Sequence, residues 1–265
     1  MTHRRTYAEM HSYVLDWYAD NKRTLPWRDT FDPYMVLVSE TMLQQTQVER
    51  VIPKFHTRMD ALPTFDALAE ASTEDLLRLW SGLWFNSRVL RLQQAAQLLL
   101  QQFDGVLPRD RDLLQTLPGV WPYTSAALLA FVYNLPAPVV DTNIRRVYIW
   151  LLSLDVDISD RALEAIVEES IPEHLANDWF NALMDIGATL LTSKKTWIKP
   201  RSQQSRFAGS PRQTRGAVVR HLLHHGPTWL DVLRREYAHP QFIDIIAWLE
   251  KEGMIVCNEN VCKIA

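Results

Sequence analysis

Cysteine is almost missing from this chain: Cys257 and Cys262 are the two thiols among 265 residues. So few, both near one end, exclude a disulfide framework and a four-thiolate cluster. No apolar run reaches the roughly 18 residues that span a bilayer, so no transmembrane helix is expected. The segment Met1–Tyr7 lacks the apolar region of a signal peptide, and the expectation is a cytoplasmic protein with no membrane partner. Neither sign of charge dominates: 28 Lys and Arg face 31 Asp and Glu, a net charge of −3. The chain is therefore no bulk polycation, and a nucleic-acid contact would need basic residues gathered on one face.

Strand patterns are also missing until late in the chain. Apolar spacing and punctuation predict helices over 7–23, 33–55, 65–71, 73–81, 86–103, 110–116, 123–134, 142–153, 160–170 and 174–192. The class is mainly α. Residues 193–213 are polar and basic, with Lys194, Lys195, Lys199, Arg201, Arg206, Arg212 and Arg215 forming a run of one sign that continues into the next helix. Such a run reads either as a solvated linker or as a phosphate contact. Beyond it, helices over 214–225, 228–237 and 240–252 precede two short strands, 254–257 and 261–264. Three helices and a hairpin resemble a winged helix-turn-helix.

Two acidic residues stand out. Glu40 shares a helix face with Val36, Leu37 and Leu43. A carboxyl on an apolar face should have a raised pKa, which suits a general acid near neutral pH; the plain alternative is a buried structural Glu. Asp141 precedes the helix over 142–153, where it reads as an N-cap. The helix start should also keep it ionised, able to stabilise or trap a cationic sugar. Between them, Leu117-Pro118-Gly119-Val120-Trp121-Pro122-Tyr123-Thr124 reads as a hairpin entering a helix. Its amides could hold a phosphate without base preference. An acid, a carboxylate and a phosphate-binding hairpin point to an enzyme acting on nucleic acid.

Taken together, these segments resemble the helix-hairpin-helix DNA glycosylase superfamily, and within it the MutY-like adenine glycosylases. The resemblance covers about residues 24–192. It rests on Leu25-Pro26-Trp27-Arg28, Pro33-Tyr34, Ser39-Glu40 through Gln44-Gln45-Thr46-Gln47-Val48, Gly119-Val120, Pro122-Tyr123-Thr124, and Val140-Asp141 with Asn143. It implies a monofunctional enzyme of base excision repair, because Tyr123 stands where endonuclease III-like members carry a Lys nucleophile. The partner implied is double-stranded DNA with adenine opposite 8-oxoguanine or guanine, and the protein a monomer, cytoplasmic and nucleoid-associated in the bacterial manner.

Residue roles follow from the same resemblance. Glu40 would protonate the purine, Asp141 would stabilise the sugar cation, and Tyr123 and Asn143 would position them. Arg28 would line the adenine pocket, and Gln44, Gln45 and Thr46 would approach the opposite base. Phe85 would wedge into the stack, with Arg88 beside it. Gly119, Val120, Trp121 and Thr124 would hold the backbone. The implied architecture is a six-helix barrel over 29–140, with the helix-hairpin-helix at about 110–134. A second helical domain combines 1–28 with 141–192. The linker 193–213 and the winged-helix-like unit 214–265 follow.

Three departures qualify the resemblance. Members typically bind a [4Fe–4S] cluster through four cysteines after the helix matching 174–192, but Leu191–Pro200 contains none. No cofactor and no metal are therefore expected. Trp84 and Trp121 stand where the family usually has glycine. No 8-oxoguanine-reading C-terminal domain of the family's type is recognisable. The alternatives are a thymine or uracil glycosylase acting on T:G or U:G mismatches, and a catalytically degenerate DNA-binding relative.

Overall fold

The computed structural model describes residues 5–83, 85–201 and 206–265. Trp84 lies outside them. Along the chain run α1 (Tyr7–Asn21), α2 (Pro33–Leu43), α3 (Val48–Ala61), α4 (Phe65–Glu70), α5 (Thr73–Trp80), α6 (Ser87–Gln102), α7 (Arg111–Gln115) and α8 (Pro122–Tyr133). There follow α9 (Thr142–Leu151), α10 (Asp160–Glu169), α11 (Ala176–Asp185) and the short α12 (Ser193–Thr196). The C-terminal part holds α13 (Pro211–His225), β1 (Thr228–Trp229), α14 (Leu230–Glu236), α15 (Phe242–Lys251), β2 (Ile255–Asn258) and β3 (Val261–Ile264). The mainly helical class is as expected.

Local chemistry sets most boundaries. Thr6, Thr64, Ser72, Asp110, Asp141, Ser159 and Ser210 each cap a helix by accepting a backbone N–H two or three residues on. Asp32 does the same for α2, accepting from Tyr34 N at 2.8 Å, with Pro33 at the first turn. Two expected helices are corrected. The helix over 33–55 is two: the chain turns after Leu43, with Gln45 at φ 55°. The helix over 174–192 ends as a π-turn, Ile186–Leu190, in which Leu191 N bonds Ile186 O at 2.7 Å.

The chain divides into two compact units. The first comprises Met1–Leu37, Leu107–Thr116 and Val120–Gln203. Here α11 packs against α1, α8 and α9. Trp179, Phe180 and Tyr148 are fully buried at its centre. The Tyr148 hydroxyl is shared with Ser170 Oγ at 2.7 Å and accepts from Trp179 Nε1 at 3.2 Å, which meets the requirement that buried polar groups be bonded.

The second unit comprises Val38–Val106, Leu117–Gly119 and Gln204–Ala265. In it α6 packs on α4 and α5, and α13 packs on α5, α15 and β3. Trp80, Phe55, Leu68, Leu76 and Leu77 form its buried centre. The C-terminal helices α13, α14 and α15 and the β2–β3 hairpin are formed, and β1 joins the hairpin to make an antiparallel sheet ordered β1-β3-β2. The two cysteines, expected only as hairpin residues, face each other in register across β2 and β3 and form a disulfide. No described helix is long and apolar enough to cross a membrane.

Candidate active site and nucleic-acid interface

In the first unit, Asp141 sits at the start of α9. Its Oδ1 accepts the Ile144 N–H at 2.7 Å, and its Oδ2 accepts the Asn143 side-chain amide at 3.2 Å. Asn143 is held in turn by Arg146, whose Nη1 donates to Asn143 Oδ1 at 3.1 Å and to Gly187 O at 3.0 Å. The structure thus brings together Asp141 and Asn143, as expected, and adds Arg146 and Gly187. Burial pushes the Asp141 carboxyl above the usual carboxylate range; the Ile144 and Asn143 hydrogen bonds and the Arg146 charge oppose it. The helix start was expected to keep this group ionised; its cap lowers the pKa as expected, against a larger rise from desolvation.

Arg28 serves the same unit differently from its expected place lining a base pocket. Its guanidinium donates to Asp185 Oδ1 at 3.1 Å and to Tyr18 Oη at 3.3 Å. Arg23 Nε adds a bond to Asp185 Oδ1 at 2.6 Å. Asp185 is 0% exposed, so two cations compensate one buried carboxylate at the C-terminal end of α11. Neither Asp185 nor Gly187 was singled out from sequence. Asp185-Ile186-Gly187 carries no motif by itself, and its meaning comes from partners far away in the chain.

In the second unit, Glu40 lies on α2 and is 7% exposed, matching the expected buried acid. The turn that follows presents Gln44, Gln45 and Thr46. It is fastened by Arg88, whose guanidinium donates to Thr41 O at 2.9 Å, Leu83 O at 2.7 Å, Thr46 Oγ1 at 3.2 Å and also Gln44 O. Arg88 was expected to meet DNA; it is buried instead, and desolvation lowers its pKa to about 10. Its work is to shape the turn. Phe85, the expected wedge, takes φ 49° and has the guanidinium groups of Arg88 and Arg212 over its ring at 5.4 and 5.5 Å.

The hairpin needs its glycine. Gly119 has φ 81°, and a Cβ there would lie 3.2 Å from Arg91 Cβ. Trp121 is 61% exposed at the N-cap of α8, whereas Val120 and Thr124 are buried. The Val120 and Thr124 side chains therefore turn inward, and only their backbone is suited to phosphate. Tyr123, in the first turn of α8, is half-buried. Lys194, Lys195, Trp197 and Lys199 are exposed, with Trp197 at 84%. Arg145 and Arg146 are buried, so they do not form a basic face beside Asp141. Arg201 bonds Asp160 Oδ1 at 2.6 Å and Ile158 O.

These features coincide with a match to the family model of HhH-GPD superfamily base excision DNA repair proteins over residues 38–173. The chain belongs to this family. Within it, the chain is 36% identical over 227 residues to the adenine DNA glycosylase of Mycolicibacterium smegmatis, covering 78% of each chain. It is 28% identical to the adenine DNA glycosylase of Buchnera aphidicola subsp. Baizongia pistaciae, covering 94% of this chain and 79% of that one. Among solved structures, a thermostable thymine-DNA glycosylase superposes with a TM-score of 0.65 at 26% identity, over 71% of this chain and 89% of that one. The HhH-GPD fold thus carries both Glu40 and Asp141 in this chain, on different compact units.

A [4Fe–4S] cluster of the kind the resemblance implies does not fit these residues. Both cysteines are joined to each other, and among the described residues no group of three or more His, Cys, Asp or Glu is placed to hold a metal. Protein contacts occupy the corresponding stretch. Arg146 Nη1 reaches Leu191 O at 3.4 Å, and Arg201 anchors the far end.

Proposed function

We propose that this protein is a monofunctional adenine DNA glycosylase of base excision repair, removing adenine mispaired with 8-oxoguanine or guanine, and that it works without an iron–sulfur cluster. The observation that carries the reading is the Asp141–Asn143 pair fixed at the start of α9, in a chain that also buries Glu40 on α2. The adenine-directed names of the relatives support the choice of base.

In this reading the adenine nucleotide is turned out of the duplex. Glu40 donates a proton to the purine N7, and the N-glycosidic bond breaks with its electron pair leaving on the base. Asp141, ionised, stabilises the sugar cation that remains, and water adds to the anomeric carbon, its released proton returning to the Glu40 carboxylate. Asn143 holds one carboxylate oxygen of Asp141 so that the charge faces a fixed direction. Tyr123, which replaces a lysine nucleophile, leaves the enzyme without a Schiff-base route to strand cleavage. Gln44, Gln45 and Thr46, on the turn shaped by Arg88, approach the opposite base. Gly119 and the first turn of α8 hold the phosphate backbone.

The test is single-turnover excision from duplexes with A opposite 8-oxoguanine, A opposite G, and T opposite G, together with the iron content of the same preparation. Release of adenine by iron-free protein, lost in Glu40→Gln while duplex binding persists, is the expected result. Excision from the T:G duplex alone would replace the reading by a thymine glycosylase, and excision from none by a DNA-binding relative.

A further inference from the structure

The second unit contains a cavity of about 490 Å³ between Ser81, Gly82, residues 85–87 and helices α13 and α15. That is within the range of about 300–1,000 Å³ typical of small-molecule sites. Neither Glu40 nor Asp141 lines it. Its walls combine three aromatic rings, Phe85, Phe207 and Trp248, with three arginines, Arg212, Arg215 and Arg220, and none of the described lining residues is a carboxylate.

Two of the cations, Arg215 and Arg212, are set on rings, while Arg220 is exposed at the edge. The Arg215 guanidinium lies 4.1 Å from the Trp248 ring centroid, and that of Arg212 lies 5.5 Å from Phe85. Arg215 Nε donates to Pro211 O at 3.3 Å, and its two terminal nitrogens find no hydrogen-bond partner among the described residues. Glu252, whose charge reaches Arg215, is itself bonded to Arg91 at 2.9 Å. Burial and then the neighbouring Arg212 lower the Arg215 pKa, and the charge of Glu252 opposes them. Asn86, at the cavity edge, makes no side-chain cap to α6, so its amide is free to meet a donor–acceptor edge. Phe85 holds its place with φ 49°, uncommon for a side chain with a Cβ.

A flat aromatic group packed among these rings and guanidinium planes, with an anionic group on Arg215 and a polar edge toward Asn86, is a nucleobase carrying a phosphate. We propose that this cavity is a binding site for a nucleoside monophosphate, either one nucleotide unstacked from a DNA strand or a free nucleotide. It stands apart from the excision chemistry and does not depend on it.

The test is calorimetric titration of the full chain with dGMP, dAMP, deoxyguanosine and inorganic phosphate. A Kd for one of the nucleotides at least tenfold below those of deoxyguanosine and phosphate is expected. Arg215→Ala and Trp248→Ala should each weaken it tenfold or more, with Arg215→Lys between, and circular dichroism should show each variant folded. If Arg215→Ala fails to fold, Asn86→Ala, expected to alter the dGMP-to-dAMP preference, provides the reading. Displacement of the nucleotide by a duplex with one unpaired, bulged nucleotide, but not by a fully paired duplex, assigns the site to a DNA strand; no displacement by either assigns it to free nucleotide. Absence of saturable nucleotide binding, phosphate binding as tightly as dGMP, an acidic peptide binding more tightly than either nucleotide, or unchanged affinity in folded Arg215→Ala overturns the proposal.

Discussion

A β-carbon added to Gly187 would lie 2.6 Å from the Cβ of Asn143 and 3.0 Å from its carbonyl oxygen. No real Cβ tolerates that approach, so the π-turn after α11 and the start of α9 touch only because residue 187 has no side chain. Gly187→Ala must push one of them away. It should cost about 1–3 kcal/mol of stability, as overpacking does. By moving Asn143 off Asp141 it should also slow adenine release by tenfold or more. Thermal melting and single-turnover excision check both; an unchanged excision rate in a folded variant would contradict the positioning.

The raised pKa of Asp141 has a definite sign. In the unfolded chain the group titrates near the ordinary value of about 3.9. The stability associated with its protonated form is therefore complete below that pH and is lost as pH rises through the higher folded value. Asp141→Asn removes the loss while keeping a capping side chain. The variant should melt at a higher temperature than the parent at pH 7, with the difference closing below about pH 4. On the proposed mechanism excision uses the ionised carboxylate, so the parent's rate should fall on its acid side at a pH above the ordinary carboxylate range. Melting curves from pH 3 to 8 and a pH–rate profile test this.

Arg88 is the fastening of the Gln44–Thr46 turn. Arg88→Met fills similar space but leaves the carbonyls of Thr41, Gln44 and Leu83 without their donor. Each abandoned buried acceptor costs roughly 1–3 kcal/mol before relaxation, so a net loss of about 2–4 kcal/mol is expected in denaturant titration. Duplex binding should weaken less than it does in Gln44→Ala, because Arg88 shapes the surface from beneath.

The disulfide between Cys257 and Cys262 closes a loop with a sequence separation of 5. Loops that small constrain the unfolded chain little, so reduction should destabilise the C-terminal unit by about 2 kcal/mol. Melting with and without reductant measures it, and Cys257→Ser/Cys262→Ser should match the reduced protein. Adenine release should be unaffected, since neither residue belongs to the proposed catalytic set.

Much of this protein is written in local sequence. Helix starts were legible because Thr, Ser and Asp caps act within three residues, and the β2–β3 hairpin because alternation is a local pattern. Asp141 was visible as a cap, Glu40 as an acid on an apolar face, and Gly119 as the glycine of a hairpin, each for the same reason. What remained hidden depended on residues distant in the chain. Arg88 read as a DNA contact because its charge is visible in sequence, while the backbone and hydroxyl groups that take up its guanidinium are not. The direction of the Asp141 pKa could not be read either, since a cap is local but desolvation is the sum of everything packed around it. The split of the 33–55 helix at Gln45 arose because tertiary bonds from Arg88 outweigh a propensity of a few tenths of a kcal/mol per residue. Gly187 acquires a role only when α9 is placed against it. The sequence alone determined which groups can do chemistry and which helices display them; only the tertiary structure decided which charges are spent on holding the fold and which are left to meet a ligand, because burial and pairing are properties of the packed chain.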